Sequence, residues 1–298
     1  MEQSLYLLET LTSQYATDPF VARIVNERVT WIVFAVNPDG WAYDLSGGSY
    51  HLWRKNRQPV PRYPDLGTDI NRNYSYQWAC CGGSSSSPWG WNYHGTSAFS
   101  TPEALAIRNF VAWRVVGGVQ RIRTHLTLHT NGELILYPYG YTTTALPGDM
   151  TADDHATFVA MATAMAATNG YKPEQSSQLY ITDGDEIDWM YHTYGIFSFT
   201  AELYPKDPGT VTAGVCPAAQ GPIADGCEAQ GMVGTDLNMV TPATAASLVY
   251  PPYSVVPAQT SRNRGMLLYL INEAACPYAA IGKAAQYCAG APVIIPQS

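Results

Sequence analysis

Charge is what this sequence has least of. Asp, Glu, Lys and Arg make up 13% of its 298 residues, about half the ~25% usual in soluble domains, which excludes a chain kept unfolded by its own charge. Basic residues are the scarcest: 16 Lys and Arg are scattered against 24 Asp and Glu, for a net charge of -8. No basic patch exists to grip nucleic acid or an anionic membrane, so neither is expected as a partner. Also lacking is any run of ~18 apolar residues, so no segment can cross a bilayer as a helix. The opening MEQSLYLLETL carries an acid where an export signal carries its basic stretch, and it reads as an amphipathic helix without a signal peptide. The six cysteines include no Cys-x-x-Cys spacing, which removes the common zinc and redox motifs.

What is present is apolar and aromatic. Residues of the apolar class reach 46%, with 21 Tyr and 8 Trp, beside 25 Gly and 21 Pro. That composition describes a packed protein with long shaped loops and excludes a coiled coil. Cys216 with Cys227, and Cys276 with Cys288, stand at loop-sized separations that suit local disulfides and an oxidising, extracellular compartment. The adjacent Cys80 and Cys81 have no assignable partner.

Helical and strand patterns interleave. Leu5, Leu7, Leu8, Leu11 and Tyr15 recur near helical spacing, and the β-branched run 29–36 (VTWIVFAV) reads as a buried strand stopped by NPDG. Residues 41–100 show little periodicity and form a loop region too long to be idle. Thr101 and Pro102 open a helix to about residue 115, and Thr151 opens one to about 168. Strands are expected at 123–129, at 133–137 and at 196–203, with a short helix at 186–194 and a last helix at 260–275. The sum is one α/β domain over residues 1–298, its mixed and mostly parallel sheet covered by helices on both faces.

Seven motifs follow in order: NPDG (37–40), WRKNR (53–57), GTDINRN (67–73), HGTSAFSTPEA (94–104), LHTNGELILYPYGYT (128–142), LYITDGDEIDWMY (179–191) and FSFTAEL (197–203). Together they resemble the zinc carboxypeptidases typified by carboxypeptidase A, most closely the bacterial carboxypeptidase T branch. The resemblance covers about residues 2–205, leaving a loop-rich region and a helix in 206–298. It implies a secreted, monomeric metallocarboxypeptidase that holds one zinc ion and hydrolyses the last residue from peptide or protein C-termini.

It also implies roles. His129 matches a zinc ligand, a task suited to neutral imidazole. Glu202 matches the general base and acid that takes a proton from the attacking water and returns it to the leaving amine. Arg54 matches the stabiliser of the tetrahedral oxyanion. Asn71 and Arg72 match the clamp on the terminal carboxylate, where a forked donor explains the choice of chain ends over chain middles. Tyr180 matches a tyrosine that closes over substrate. Ile187 and Asp185 match specificity positions, the first favouring apolar or aromatic ends and the second also admitting Lys or Arg. Thr200, two residues before Glu202 on the same strand face, is expected in the same pocket.

Two departures stand out. The family's first two zinc ligands form a His-x-x-Glu motif, and the residues three positions after the six histidines are Arg54, Ser97, Leu128, Gly132, Phe158 and Gly195. Two of three protein ligands for zinc are therefore absent, along with strands the family places ahead of that motif, whose loss would bare a sheet edge. The expectation is a chain cut from a larger secreted precursor. The alternative is a module that binds peptide C-termini without cutting them; a sugar-acting protein using Asp183, Asp185, Glu186 and Asp188 is a third reading. The second departure is Asn131, with Gly132, where the carboxypeptidase T branch has Tyr and Ser.

Overall fold

The computed structural model describes residues 1–48, 51–206 and 252–288. Several of its helices begin where short polar side chains satisfy the free N–H groups of a first turn. After α1 (Glu2–Ser13), Asp18 caps α2 (Pro19–Glu27), and Asn37 caps α3 (Pro38–Asp44) by accepting from the Gly40 N–H. Thr101 caps α4 (Pro102–Ala112), and Thr151 caps α5 (Ala152–Asn169), whose first turn carries Asp153 and Asp154. A short hairpin, β1 (Val115–Val116) with β2 (Val119–Gln120), follows α4 and ends it sooner than the sequence pattern suggests.

The main sheet holds β3 (Thr124–Gly132), β4 (Leu134–Tyr137), β5 (Lys172–Gln175) and β6 (Phe197–Lys206) in the order β3-β6-β4-β5. β3 runs parallel to β6 and β4 parallel to β5, while β4 and β6 are antiparallel. The sheet is thus mixed and mostly parallel. Along β6 the side chains alternate between two environments. Phe197, Phe199 and Ala201 pack against Phe158, Met161 and Met165 of α5 and Met266 of α9 (Arg264–Glu273). The opposite face is covered through α4 and α7 (Glu186–Tyr194), where Ala104, Trp189 and Met190 enclose Ile70 and Tyr74. Both faces carry helices, as expected of the fold class. Phe158 and Phe199 are fully enclosed, and each such side chain contributes roughly 1.5–3 kcal/mol by leaving water.

Several elements differ from the sequence pattern. Residues 29–36 join no strand and bend at Phe34 and Val36, and Val29, Trp31, Val33 and Phe34 are 49%, 40%, 51% and 39% exposed. Their β-forming composition is real, but a strand needs a neighbour, and none lies beside them among the described residues. The expected helix 260–275 is two helices, α8 (Val256–Arg262) and α9, broken at Asn263. Buried Asn263 donates to Gln3 Oε1 at 2.9 Å and accepts from Asn169 at 2.9 Å, joining three parts of the chain at the break. Helices α2 and α3, strand β5 and the single turn α6 (Ser176–Leu179) go beyond the pattern. Cys276 and Cys288 are bonded as expected, and Cys80 pairs with its neighbour Cys81. Cys216, Cys227 and most of the loop-rich region lie outside the described residues. Among the described residues no helix is long and apolar enough to cross a membrane.

Candidate active site

The loop carrying Arg54 is pinned on both sides. The Asn37 side-chain amide donates to the carbonyls of Arg54 and Lys55 at 3.3 and 3.0 Å, and Asn56 exchanges hydrogen bonds with the backbone of Thr68. Gly67 sits at φ +62 with its α-carbon against the Asn56 carbonyl, where a side chain would collide. WRKNR is thereby laid onto GTDINRN. Across that seam Arg54 Nε donates to Asp69 Oδ2 at 2.9 Å. Burial alone would depress the Arg54 pKa, but the Asp69 carboxylate reverses this and holds it above its ordinary range. Burial likewise pushes Asp69 up, and Arg54 and Arg72 together bring it below the usual carboxylate value. Both charges persist at neutral pH.

Asp69 also caps the 3₁₀ turn Ile70–Arg72 through the Asn71 N–H at 3.1 Å. The Asn71 side chain in turn accepts the Glu186 N–H at 2.9 Å, fastening the start of α7. Arg72 is 1% exposed. Its Nε donates to the Gly83 carbonyl at 3.1 Å and its Nη1 to the Asn71 carbonyl at 2.6 Å, while Nη2 has no partner among the described residues. Its guanidinium lies 5.9 Å from the ring centroid of Tyr180, which directly follows α6 and is half-exposed.

The other wall comes from the sheet. His129 and Glu202 are register partners on β3 and β6, and Thr127 pairs with Thr200 two residues back. Burial pushes the Glu202 carboxyl up to about 7, against the pull of Arg54 and Arg72. Burial, reinforced by Arg54, takes His129 down to about 4, so its imidazole is neutral at pH 7. A carboxyl able to gain or lose a proton near neutrality therefore stands beside a neutral nitrogen donor. A side chain at Gly132 would bring its Cβ within 3.1 Å of Glu202 Cβ, which accounts for glycine there. Buried Asp185 caps α7 by accepting the Asp188 N–H at 2.9 Å, and it also accepts the Thr182 hydroxyl. Asp188 lies behind it on the N–H groups of Gly140 and Tyr141. Burial raises both acids above the ordinary carboxylate range.

One cleft gathers Arg54, Asn71, Arg72, His129, Tyr180, Asp185, Thr200 and Glu202. Ile187 does not join them. It is 2% exposed inside α7 and lies off the cleft wall, so the apolar surface there comes from Leu136 and Leu179. Sequence reasoning also passed over Ser176, Thr182 and Asp69; for Asp69 the signal was its place two residues before Asn71, where a carboxylate caps a turn. As a metal centre the donor set is short. Among the described residues no three His, Cys, Asp or Glu side chains converge, and a catalytic zinc takes three protein ligands.

Comparison with known proteins bears on the same segment. The family model described as zinc carboxypeptidase matches residues 1–219. A zinc carboxypeptidase of Saccharothrix mutabilis subsp. capreolus is 46% identical over 206 residues, which are 69% of this chain and 47% of the relative. Carboxypeptidase A1 of Bos taurus is 31% identical over 206 residues, with the same coverage of 69% and 47%. Among solved structures, bovine thrombin-activatable fibrinolysis inhibitor in complex with tick carboxypeptidase inhibitor superposes with a TM-score of 0.64 at 22% identity, covering 91% of this chain and 76% of that one. Carboxypeptidase A from Helicoverpa armigera gives 0.63 at 22% identity, covering 95% and 58%. At that identity the likeness is one of fold. The chain spans about half the length of the curated relatives it matches.

Proposed function

The chain belongs to the zinc carboxypeptidase family, and on that premise we propose that it grips the free C-terminus of a peptide and takes part in hydrolysing the last peptide bond. The observation that supports this most directly is the buried, twice-anchored Arg72 with a spare Nη2, in one cleft with Arg54, His129 and Glu202. Arg72 and Asn71 hold the terminal carboxylate, a charge-assisted contact that an amidated end cannot make. Arg54, a third exposed and oriented by Asp69, faces the scissile carbonyl and stabilises negative charge as it develops. Glu202 accepts the proton of the attacking water and passes it to the departing amine, a transfer for which a pKa near 7 is well matched. Tyr180 covers the bound end.

Leu136 and Leu179 favour apolar terminal side chains, while Asp185 admits Lys and Arg. The family's ion is zinc, for which the chain offers His129 and lacks the His-x-x-Glu pair. The alternative reading is a module that holds peptide C-termini without cutting them. The Cys276–Cys288 bond supports an extracellular setting.

The test compares a peptide ending in free Phe with its C-terminal amide. At least about tenfold tighter binding of the acid, worth ~1.4 kcal/mol, is expected. Equal affinity would overturn the carboxylate clamp. Release of free Phe in the presence of zinc, stopped by a chelator, favours hydrolysis; binding without release favours the holding module.

A further inference from the structure

The adjacent Cys80 and Cys81 lie outside the cleft yet are tied to two of its walls. Bonded to each other, they close a small ring around the peptide link between them, and both are exposed. The backbone leading into the ring holds Gln77 at φ +49 and Ala79 at φ +54, in the left-handed region where residues with a side chain seldom rest. Such a conformation persists where its surroundings fix it, and here a covalent ring starts at the next residue. Beyond the ring the chain turns inward. The N–H groups of Cys81 and Gly83 both donate to Asp183 Oδ2, at 3.0 and 2.9 Å, and the Gly83 carbonyl accepts Arg72 Nε at 3.1 Å.

Arg72 is anchored on the carbonyls of Asn71 and Gly83, so a shift of Gly83 loosens one of the two. Asp183 is 1% exposed and its Oδ1 has no partner among the described residues, so it cannot lose the Cys81 N–H without leaving a buried carboxylate underpaired. Gly83 also packs directly on the far side of the cleft. A side chain there would meet the Thr182 carbonyl carbon at 2.4 Å, and the Thr182 hydroxyl donates to Asp185. Movement of residues 81–83 therefore reaches Arg72 and the segment from Tyr180 to Asp185 together. We propose that Cys80–Cys81 is a site of thiol–disulfide exchange that takes a dithiol as its reductant and sets the grip of the Arg72 clamp. A thiolate of the reductant attacks one cysteine sulfur and the other leaves as thiolate. The second thiol of the reductant then resolves the mixed disulfide, so that two electrons and two protons pass to the cysteines while the reductant closes its own disulfide. With the ring open, Gln77 and Ala79 relax toward ordinary backbone, and the Cys81 N–H leaves Asp183. Access distinguishes this bond from Cys276–Cys288, in which Cys276 is 9% exposed.

This control presupposes the carboxylate clamp proposed above, and binding measurements tell the two apart without any need for hydrolysis. The chain is treated with graded dithiothreitol, and alkylation followed by mass spectrometry reads which cysteines have opened. Affinities for the peptide ending in free Phe and for its amide are measured on the same samples. Cys80–Cys81 should open before Cys276–Cys288, and the ratio of acid to amide affinity should then fall about threefold or more with the amide affinity unchanged. Oxidised glutathione should restore the ratio. The double variant Cys80→Ser, Cys81→Ser should show the lowered ratio from the start and no further response to dithiothreitol, which assigns the effect to this pair. The proposal is overturned if Cys276–Cys288 opens first, if the ratio is the same with the pair open and closed, or if the double variant still responds to reductant. An oxidised chain that does not prefer the acid overturns the clamp itself and this control with it, whereas a preference that reduction leaves untouched overturns the control alone.

Discussion

Asp69 serves two sides of the cleft with one carboxylate: Oδ2 holds Arg54 and Oδ1 caps the turn that carries Asn71 and Arg72. Asp69→Asn preserves the shape and removes the charge, so Arg54 loses its partner while the cap weakens. A loss of about 1.5–3 kcal/mol in urea unfolding is expected, the worth of a charge-assisted bond, together with weaker binding of a free C-terminus. Unchanged stability and binding would mean that Arg54 is oriented by something else. Asp185 makes a pH prediction. Burial raises its pKa, so at the acid end of its range it is a neutral wall that suits Phe, and as pH rises it ionises and attracts Lys. Lysine itself stays charged throughout, with a pKa of ~10.4. The affinity ratio of peptides ending in Lys and in Phe should therefore climb as pH rises past the ordinary carboxylate range, and Asp185→Asn should flatten that climb; a climb that survives the substitution assigns it to another group. Residues of this kind were legible because each sat in a motif whose neighbours also matched. Ile187 shows the limit, since a matching position does not say which way a helix turns its side chain.

Helix ends were legible because capping is local: Thr101 with Pro102, Thr151 with its acids, and Asp185 with Gly195 all mark the ends they occupy in space. Strands depend on partners far along the chain, so residues 29–36 had the right composition and no pairing. β5, which spells KPEQ, had the pairing without the composition. The C-terminal clasp shows another non-local device. The Cys276–Cys288 bond closes a loop that lays Lys283 and Tyr287 on Asp153 and Tyr278 on Asp154, at the first turn of α5. Those contacts draw Asp153 below the usual carboxylate pKa and satisfy acids already placed to favour the helix dipole. Replacing both cysteines by alanine should cost ~2–3 kcal/mol, as for loops of comparable length, and should speed hydrogen exchange in residues 152–156. Faster exchange confined to residues 277–288 would show that the clasp does not reach α5.

Across the whole molecule, stability should fall off from one side of the sheet to the other. β6 lies between β3 and β4, and Ile135, Phe199 and Ala201 are wholly enclosed beneath α5. Opposite them, β3 ends the sheet among the described residues, beside a cavity of about 1180 Å³, and Val29, Trp31, Val33 and Phe34 line its far wall partly open to solvent. Local opening is easiest where few apolar contacts and unpaired backbone coincide. In the free chain, residues 29–36 should exchange their amide hydrogens at nearly the rate of unfolded peptide, β3 more slowly, and residues 197–203 only through global unfolding. Phe199→Ala separates this gradient from uniform softness. It removes packing on the closed side and should cost ~3–5 kcal/mol, lowering protection in residues 134–137 and 197–203 together while leaving residues 29–36 as fast as before. If residues 29–36 are protected to the same depth as β6 in the unaltered chain, the two sides form one cooperative unit and the cavity is closed in solution. The candidate site straddles this gradient: Glu202 stands on the firm strand and His129 on the one that borders the opening, so opening of β3 should disturb the site from the His129 side first.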